Sequence, residues 1–148
     1  MSVKTADRHL SKVAYLNDAR KLVLQVLVLT RPSKQKANGK YNSPGALGSQ
    51  YLYSAFGASI LDSAKRVHGN CFAASEIEVR TKEDLDKVNK FFDAAIGYCD
   101  SILRELDLCI FVVQSEKKRN SYWYLADLAR ACKLSIEEHQ RSFRGKPC

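Results

Sequence analysis

The residues whose types and spacing could do chemistry are cations. Arg31, Lys34, Lys36 and Lys40 fall in one short segment, and no Asp or Glu occurs anywhere between Asp18 and Asp62. Lys117, Lys118 and Arg119 form a second group, and Arg130, Lys133, Arg141 and Arg144 follow one another at helical spacing with Glu137 between. Arg20 and Lys21 add two more within the acid-free side of the chain. Clusters of this kind hold phosphates by releasing counterions, and they do so without reading base sequence. The plainer alternative is a solvated basic surface that keeps the chain soluble. A formal charge of +8 and a pI near 9.3 favour an anionic partner, nucleic acid being the commonest.

Other chemistries find no residues to carry them. A di-iron site in a helical bundle needs Glu-x-x-His pairs, and none of His9, His68 and His139 has a Glu three residues before it. Gly39, Gly45 and Gly48 do not make a phosphate-loop or dinucleotide fingerprint, and no Ser sits in a nucleophile elbow. The carboxylate pairs Asp84/Asp86 and Glu137/Glu138 fall on helix faces expected to be solvated. No catalytic residue, metal ligand or cofactor is therefore expected. The five cysteines (Cys71, Cys99, Cys109, Cys132, Cys148) are odd in number and lack a C-x-x-C pair, so buried reduced thiols are expected, with Cys148 free at the tail. Tyr122-Trp123-Tyr124, beside the second cation group, either offers base-stacking surfaces or closes the end of a core. Tyr41 and Tyr51 raise the same question.

What must position these cations is a set of helices. Leu85, Val88, Phe92, Ala95, Cys99, Ile102, Leu106, Cys109 and Val113 recur in steps of three and four. That is the seam of one long amphipathic helix over about 43 Å, and it needs partner helices of similar length. Four helices are expected, at about 12–30, 44–67, 81–114 and 121–143, as one all-α, up-and-down antiparallel bundle domain. The run from Leu22 to Leu29 is apolar nearly all round. A buried strand is its rival, but Asn17-Asp18-Ala19-Arg20-Lys21 leads in without a turn, so a helix central to the core is expected. Ser43-Pro44 reads as the start of the second helix and His68-Gly69-Asn70 as its end, with Leu52, Ala55, Phe56, Ser59, Ile60 and Val67 buried. Residues 71–80 read as a loop, Thr81 as the cap of the long helix, and Glu116 to Asn120 as a polar hinge. Tyr122, Leu125, Ala129, Cys132 and Ile136 form the seam of the last helix.

Charge is partitioned along this plan. From Thr81 to Glu116 four basic residues face eight acidic ones, a net of −4, which leaves +12 for the remainder. Asp86, Asp93, Asp100 and Asp107 recur every seven residues along one face. Such a stripe repels nucleic acid, so it is expected to meet a neighbouring subunit or to lie away from any RNA. The up-and-down order brings the first and third connections to the same end, collecting Arg31 to Lys40 with Lys117 to Arg119. No run is long and apolar enough to span a membrane, and Met1 to Lys12 lacks a signal-peptide core, so a cytoplasmic location is expected.

Met1-Ser2-Val3-Lys4, Ser11-Lys12, the run Leu16 to Leu24, and the lysine-rich loop leading to Tyr41 carry a resemblance, as do Tyr122-Trp123 to Leu125, Leu128-Ala129-Arg130 and Arg141-Ser142. In segment order over nearly the whole chain, the sequence resembles the accessory variability determinant family of diversity-generating retroelements. That family is related to the four-helix bundle proteins encoded in ribosomal intervening sequences. The resemblance implies a barrel-like homopentamer with a basic surface and no catalytic centre. It also implies two partners, the element's reverse transcriptase and its template RNA or cDNA. The alternative from the residues alone is an oligomerisation or protein-interaction module that touches no nucleic acid.

Overall fold

The computed structural model describes residues 13–143. The basic segment Met1 to Lys12, Arg144, Cys148 and the Gly145/Pro147 tail, all read above from the sequence, lie outside the described residues. Four helices pack as an up-and-down bundle. They are α1 (Ala14–Leu29), α2, α3 (Lys82–Val112) and α4 (Glu116–Ser142), where α2 joins Gln50–Leu52, a wide turn Tyr53–Gly57, and Ala58–Ser75. The principal contacts join α1 to α2 and α4, and α3 to α2 and α4, so α1 and α3 are diagonal.

The long helix forms as its seam requires. Val88, Phe92, Ala95, Cys99, Ile102, Leu106 and Cys109 are buried, with Leu85 and Val113 at its ends half-buried. Thr81 starts it in a capping box: its Oγ1 accepts from Asp84 N at 3.1 Å while Asp84 Oδ2 accepts from Thr81 N at 3.1 Å. Asp84 also accepts from Arg80 N at 3.1 Å, and this bond leads in holding its carboxyl below the usual range. On α4, Tyr122, Leu125, Ala129, Cys132 and Ile136 are all buried. Cys71, Cys99 and Cys132, from α2, α3 and α4, are fully buried free thiols, as is Cys109. Interaction with the Cys132 thiol, then burial, pushes Cys99 up.

Four expectations need correction. First, α1, although apolar nearly all round from Leu22 to Leu29, is buried on one face only. Leu16, Ala19, Leu22, Val26 and Leu29 are buried, but Leu24 is 64% and Val28 52% exposed. Second, α2 starts at Gln50 with Ser49 as cap, its Oγ accepting from Leu52 N at 3.3 Å. Ser43 and Pro44 belong instead to a segment folded back on α1, where Gly45 N donates to Arg31 O at 2.9 Å and Leu47 N to Leu29 O at 2.7 Å. That approach requires glycine: a Cβ on Gly48 would lie 1.9 Å from Arg31 O. Third, α2 runs through Gly69 to Ser75. Gly69 faces open space, while Val67, Cys71 and Ala74 continue the buried stripe, and that packing outweighs the roughly 1 kcal/mol that glycine costs a helix. The buried set of α2 is Leu52, Gly57, Ile60, Ser63, Ala64, Val67, Cys71 and Ala74; Ala55 and Ser59 are exposed and Phe56 is half-buried. Fourth, Glu116 to Asn120 is no hinge but the start of α4, capped by Ser115, whose Oγ accepts from Lys118 N at 3.3 Å.

Candidate nucleic-acid interface

The connection between α1 and α2 is an ordered hairpin, not a loose loop. Lys36 N donates to Lys40 O at 2.6 Å, Asn42 N to Lys34 O at 2.8 Å, and Gln35 bridges Tyr41 antiparallel. The tip is a turn closed by Gly39 N on Lys36 O at 3.0 Å, with Gly39 at φ 84°. This is the three-residue hairpin in which the last loop position must be left-handed, the reason Asn38-Gly39 serves there. Asn38 Oδ1 accepts from Lys40 N at 3.1 Å, and Ser33 Oγ donates to Asn42 O at 2.6 Å to close the base.

The pleat then sorts the side chains. Lys36 pairs with Lys40 and Lys34 with Asn42, so the three lysines share one face while Gln35 and Tyr41 take the other. Residues 31–41 are all exposed. Among the described residues none of Arg31, Lys34, Lys36 and Lys40 enters an ion pair, and no carboxylate lies nearby in sequence to offer one.

Lys117, Lys118 and Arg119 begin α4 at the same end of the bundle, as the chain order requires. A direct tie joins α4 to the first connection: Tyr122 Oη donates to Ala46 O at 2.6 Å. Burial pushes the Tyr122 hydroxyl up to about 12, Cys109 adding to the effect. Arg119 is partly committed to the fold, its Nε donating to Val113 O at 2.7 Å and Ile110 O at 3.1 Å. Those carbonyls end α3 and have no helical partner, so Arg119 serves as their cap. Lys117 is exposed and Lys118 half-buried. Cations in a helix's first turn oppose its dipole, so helix stability does not account for placing them there.

The remaining candidates are not gathered with these. Arg130 Nη1 pairs with Asp127 at 3.3 Å, and Lys133 Nζ with Asp100 at 2.9 Å. The hydrogen bond to Asp100 raises Lys133. Arg141 is exposed toward the far end of α4, about 30 Å along the helix from Arg119. On α1, Arg20 Nη1 reaches Asn17 Oδ1 at 3.4 Å, and Lys21 is exposed. The acidic stripe is partly answered within the chain: besides Lys133 on Asp100, Gln140 Nε2 donates to Asp93 Oδ1 at 3.0 Å. Asp86 and Asp107 are exposed.

The aromatic triplet divides. Tyr122 closes the core, while Trp123 and Tyr124 are exposed, as are Tyr41 and Tyr51. Sequence reasoning missed one feature, the wide turn at Tyr53–Gly57, in which Ala58 N donates to Tyr53 O five residues back. The sequence carries no signal for it, because Leu52, Ala55, Phe56, Ser59 and Ile60 keep three-and-four spacing straight through the turn. Beside this turn opens a cleft of about 630 Å³ bounded by α1, the hairpin base and α2. Among the described residues no group of three or more His, Cys, Asp or Glu is placed to hold a metal ion, and no helix is long and apolar enough to cross a membrane. No family model, curated protein or solved structure matches this chain.

Proposed function

We propose that this chain is a non-catalytic, nucleic-acid-binding accessory subunit that works as a homo-oligomer beside a reverse transcriptase and its template RNA or cDNA. The observation that carries the binding is the hairpin. It presents three unpaired lysines on one face, joined to Arg31 at its base, within 43 residues (19–61) that contain no acid. Backbone hydrogen bonds hold that face in shape before any ligand arrives, which lowers the ordering cost of binding. Phosphates displacing counterions from it gain affinity at low salt and lose it at high salt. The polymerase partner, the retroelement setting and a five-fold assembly rest on the sequence resemblance.

The test is RNA affinity against salt, together with co-purification of the reverse transcriptase with and without nuclease. Steep salt dependence and a nuclease-sensitive or direct polymerase complex are expected. Absent or salt-independent RNA binding sinks the proposal.

A second reading, an oligomerisation module free of nucleic acid, is favoured by apolar exposure at the same end. Phe111 is 80% exposed, and Leu24, Val28 and Leu108 are each more than half exposed. Patches of that kind mark protein contacts. Light scattering at micromolar concentration separates the two readings only together with the RNA titration, since both require association.

A further inference from the structure

Resting on the nucleic-acid reading above, we infer that the cleft beside the wide turn of α2 receives an unpaired nucleobase of a single strand, whose backbone continues along the lysine face of the hairpin. The cleft is walled by Leu27 and Leu61, with Tyr53 and Ser54 on the wide turn, Gln50 on the first turn of α2, and Arg31 at the mouth. Every residue that bounds it falls between Leu27 and Leu61, inside the acid-free stretch. It therefore combines an apolar interior, amide and hydroxyl groups for base edges, and a positive rim without a single carboxylate.

Three further observations point to a base. Tyr53 is 38% exposed, offering ring surface while remaining seated. Its seat is made by Gly57: a Cβ there would come within 2.9 Å of the Tyr53 ring. The wide turn itself is a form that recurs at functional sites, and it carries both Tyr53 and Ser54 into the lining of the cleft. Arg31 and Ser33 line the cleft and Lys34 follows directly in the chain, so the basic hairpin starts at the edge of the cleft. Single strands are held by this combination of a stacking ring and a basic track. A duplex keeps its bases paired and cannot fill the cleft.

Fluorescein-labelled single-stranded oligouridylate and a blunt RNA duplex, titrated with the full chain by anisotropy, separate the possibilities. Tyr53→Ala is expected to weaken single-strand binding about tenfold with duplex affinity and salt slope unchanged, and Tyr53→Phe to retain it. Ser54→Phe, which fills the cleft from an exposed position, should reproduce the loss and decides the matter if Tyr53→Ala unfolds by circular dichroism. Unchanged single-strand affinity in both variants overturns the cleft while leaving the nucleic-acid reading in place. So does loss of polymerase co-purification without loss of RNA binding, which would make the cleft a protein dock. No binding of either RNA by the unmodified chain overturns both.

Discussion

The acidic helix α3 and the basic connection between α1 and α2 handle charge in opposite ways. Along α3 two of the four carboxylates of the acidic stripe are answered by the neighbouring helix: Lys133 meets Asp100 and Gln140 meets Asp93. In the connection the cations are left unanswered, and the backbone rather than any counter-charge keeps them in place. An ion pair between neighbouring helices is local packing, and at partly exposed sites it contributes little. Like charges held together without partners repel, and helix or hairpin stability gives no reason to collect them. The contrast teaches that the α3 seam serves the stability of the bundle, and it is the reason we propose the loop end as the place where a partner binds.

Breaking either side of that contrast should leave the other standing. The largest effect is expected from Phe92→Ala on α3. Its ring is fully buried and meets Tyr15 edge-on at 4.9 Å, and truncation should cost about 3–5 kcal/mol in urea denaturation. The RNA salt slope of the folded fraction should not move. Next, Lys34, Lys36 and Lys40 changed together to Ala should lower the slope of log affinity against log salt by about two, at roughly 0.7 per phosphate contact on a single strand. Unfolding free energy should then change by no more than about 0.5 kcal/mol, as for exposed substitutions generally. If the triple variant binds as before, the loop end is a solvated surface.

Smaller effects sharpen the tie between the two regions. Tyr122→Phe leaves the Ala46 carbonyl without its donor and should cost about 1 kcal/mol, with looser protection of the hairpin base in hydrogen exchange. Burial raises Tyr15 and Tyr122 from 10.0 to about 12, so the folded state favours their neutral forms. Their contribution is fully present below pH 10, the unfolded value, and is lost as pH rises through about 12. Stability measured by circular dichroism should decline across that window, and less so in Tyr122→Phe. Least is expected of Lys133→Ala, about 0.5 kcal/mol or under, because the pair is roughly one-third exposed on both sides.

Periodicity made most of the bundle legible. The α3 and α4 seams, the Thr81 cap and the shared end of the first and third connections all follow from three-and-four spacing and chain order. Boundaries failed where local chemistry competed with packing. Ser43-Pro44 carries a good start signal, but Gly45 and Gly48 let that segment close on α1, and the start moved to Ser49. His68-Gly69-Asn70 reads as a stop until Cys71 and Ala74 are seen to need burial. The candidate site was legible as composition only. The lysines and the acid gap stood in the sequence, but the pairing that gives Lys34, Lys36 and Lys40 a common face depends on cross-strand bonds that a single bridge cannot announce. Arg119 reads in the sequence like any other cation, because its capping of α3 depends on the short connection 113–115, which periodicity alone does not reveal.

The wide turn at Tyr53–Gly57 carries one residue more than a regular helix would. Buried positions run in steps of three and four from Gly57 through Ile60, Ala64, Val67 and Cys71 to Ala74, and only the step of five from Leu52 to Gly57 breaks the count. Removing one residue from this turn would restore a step of four and leave both flanks of α2 in register. In genetic terms a three-nucleotide deletion here is expected to remove the wide turn while leaving the stripe from Ile60 to Ala74 in register.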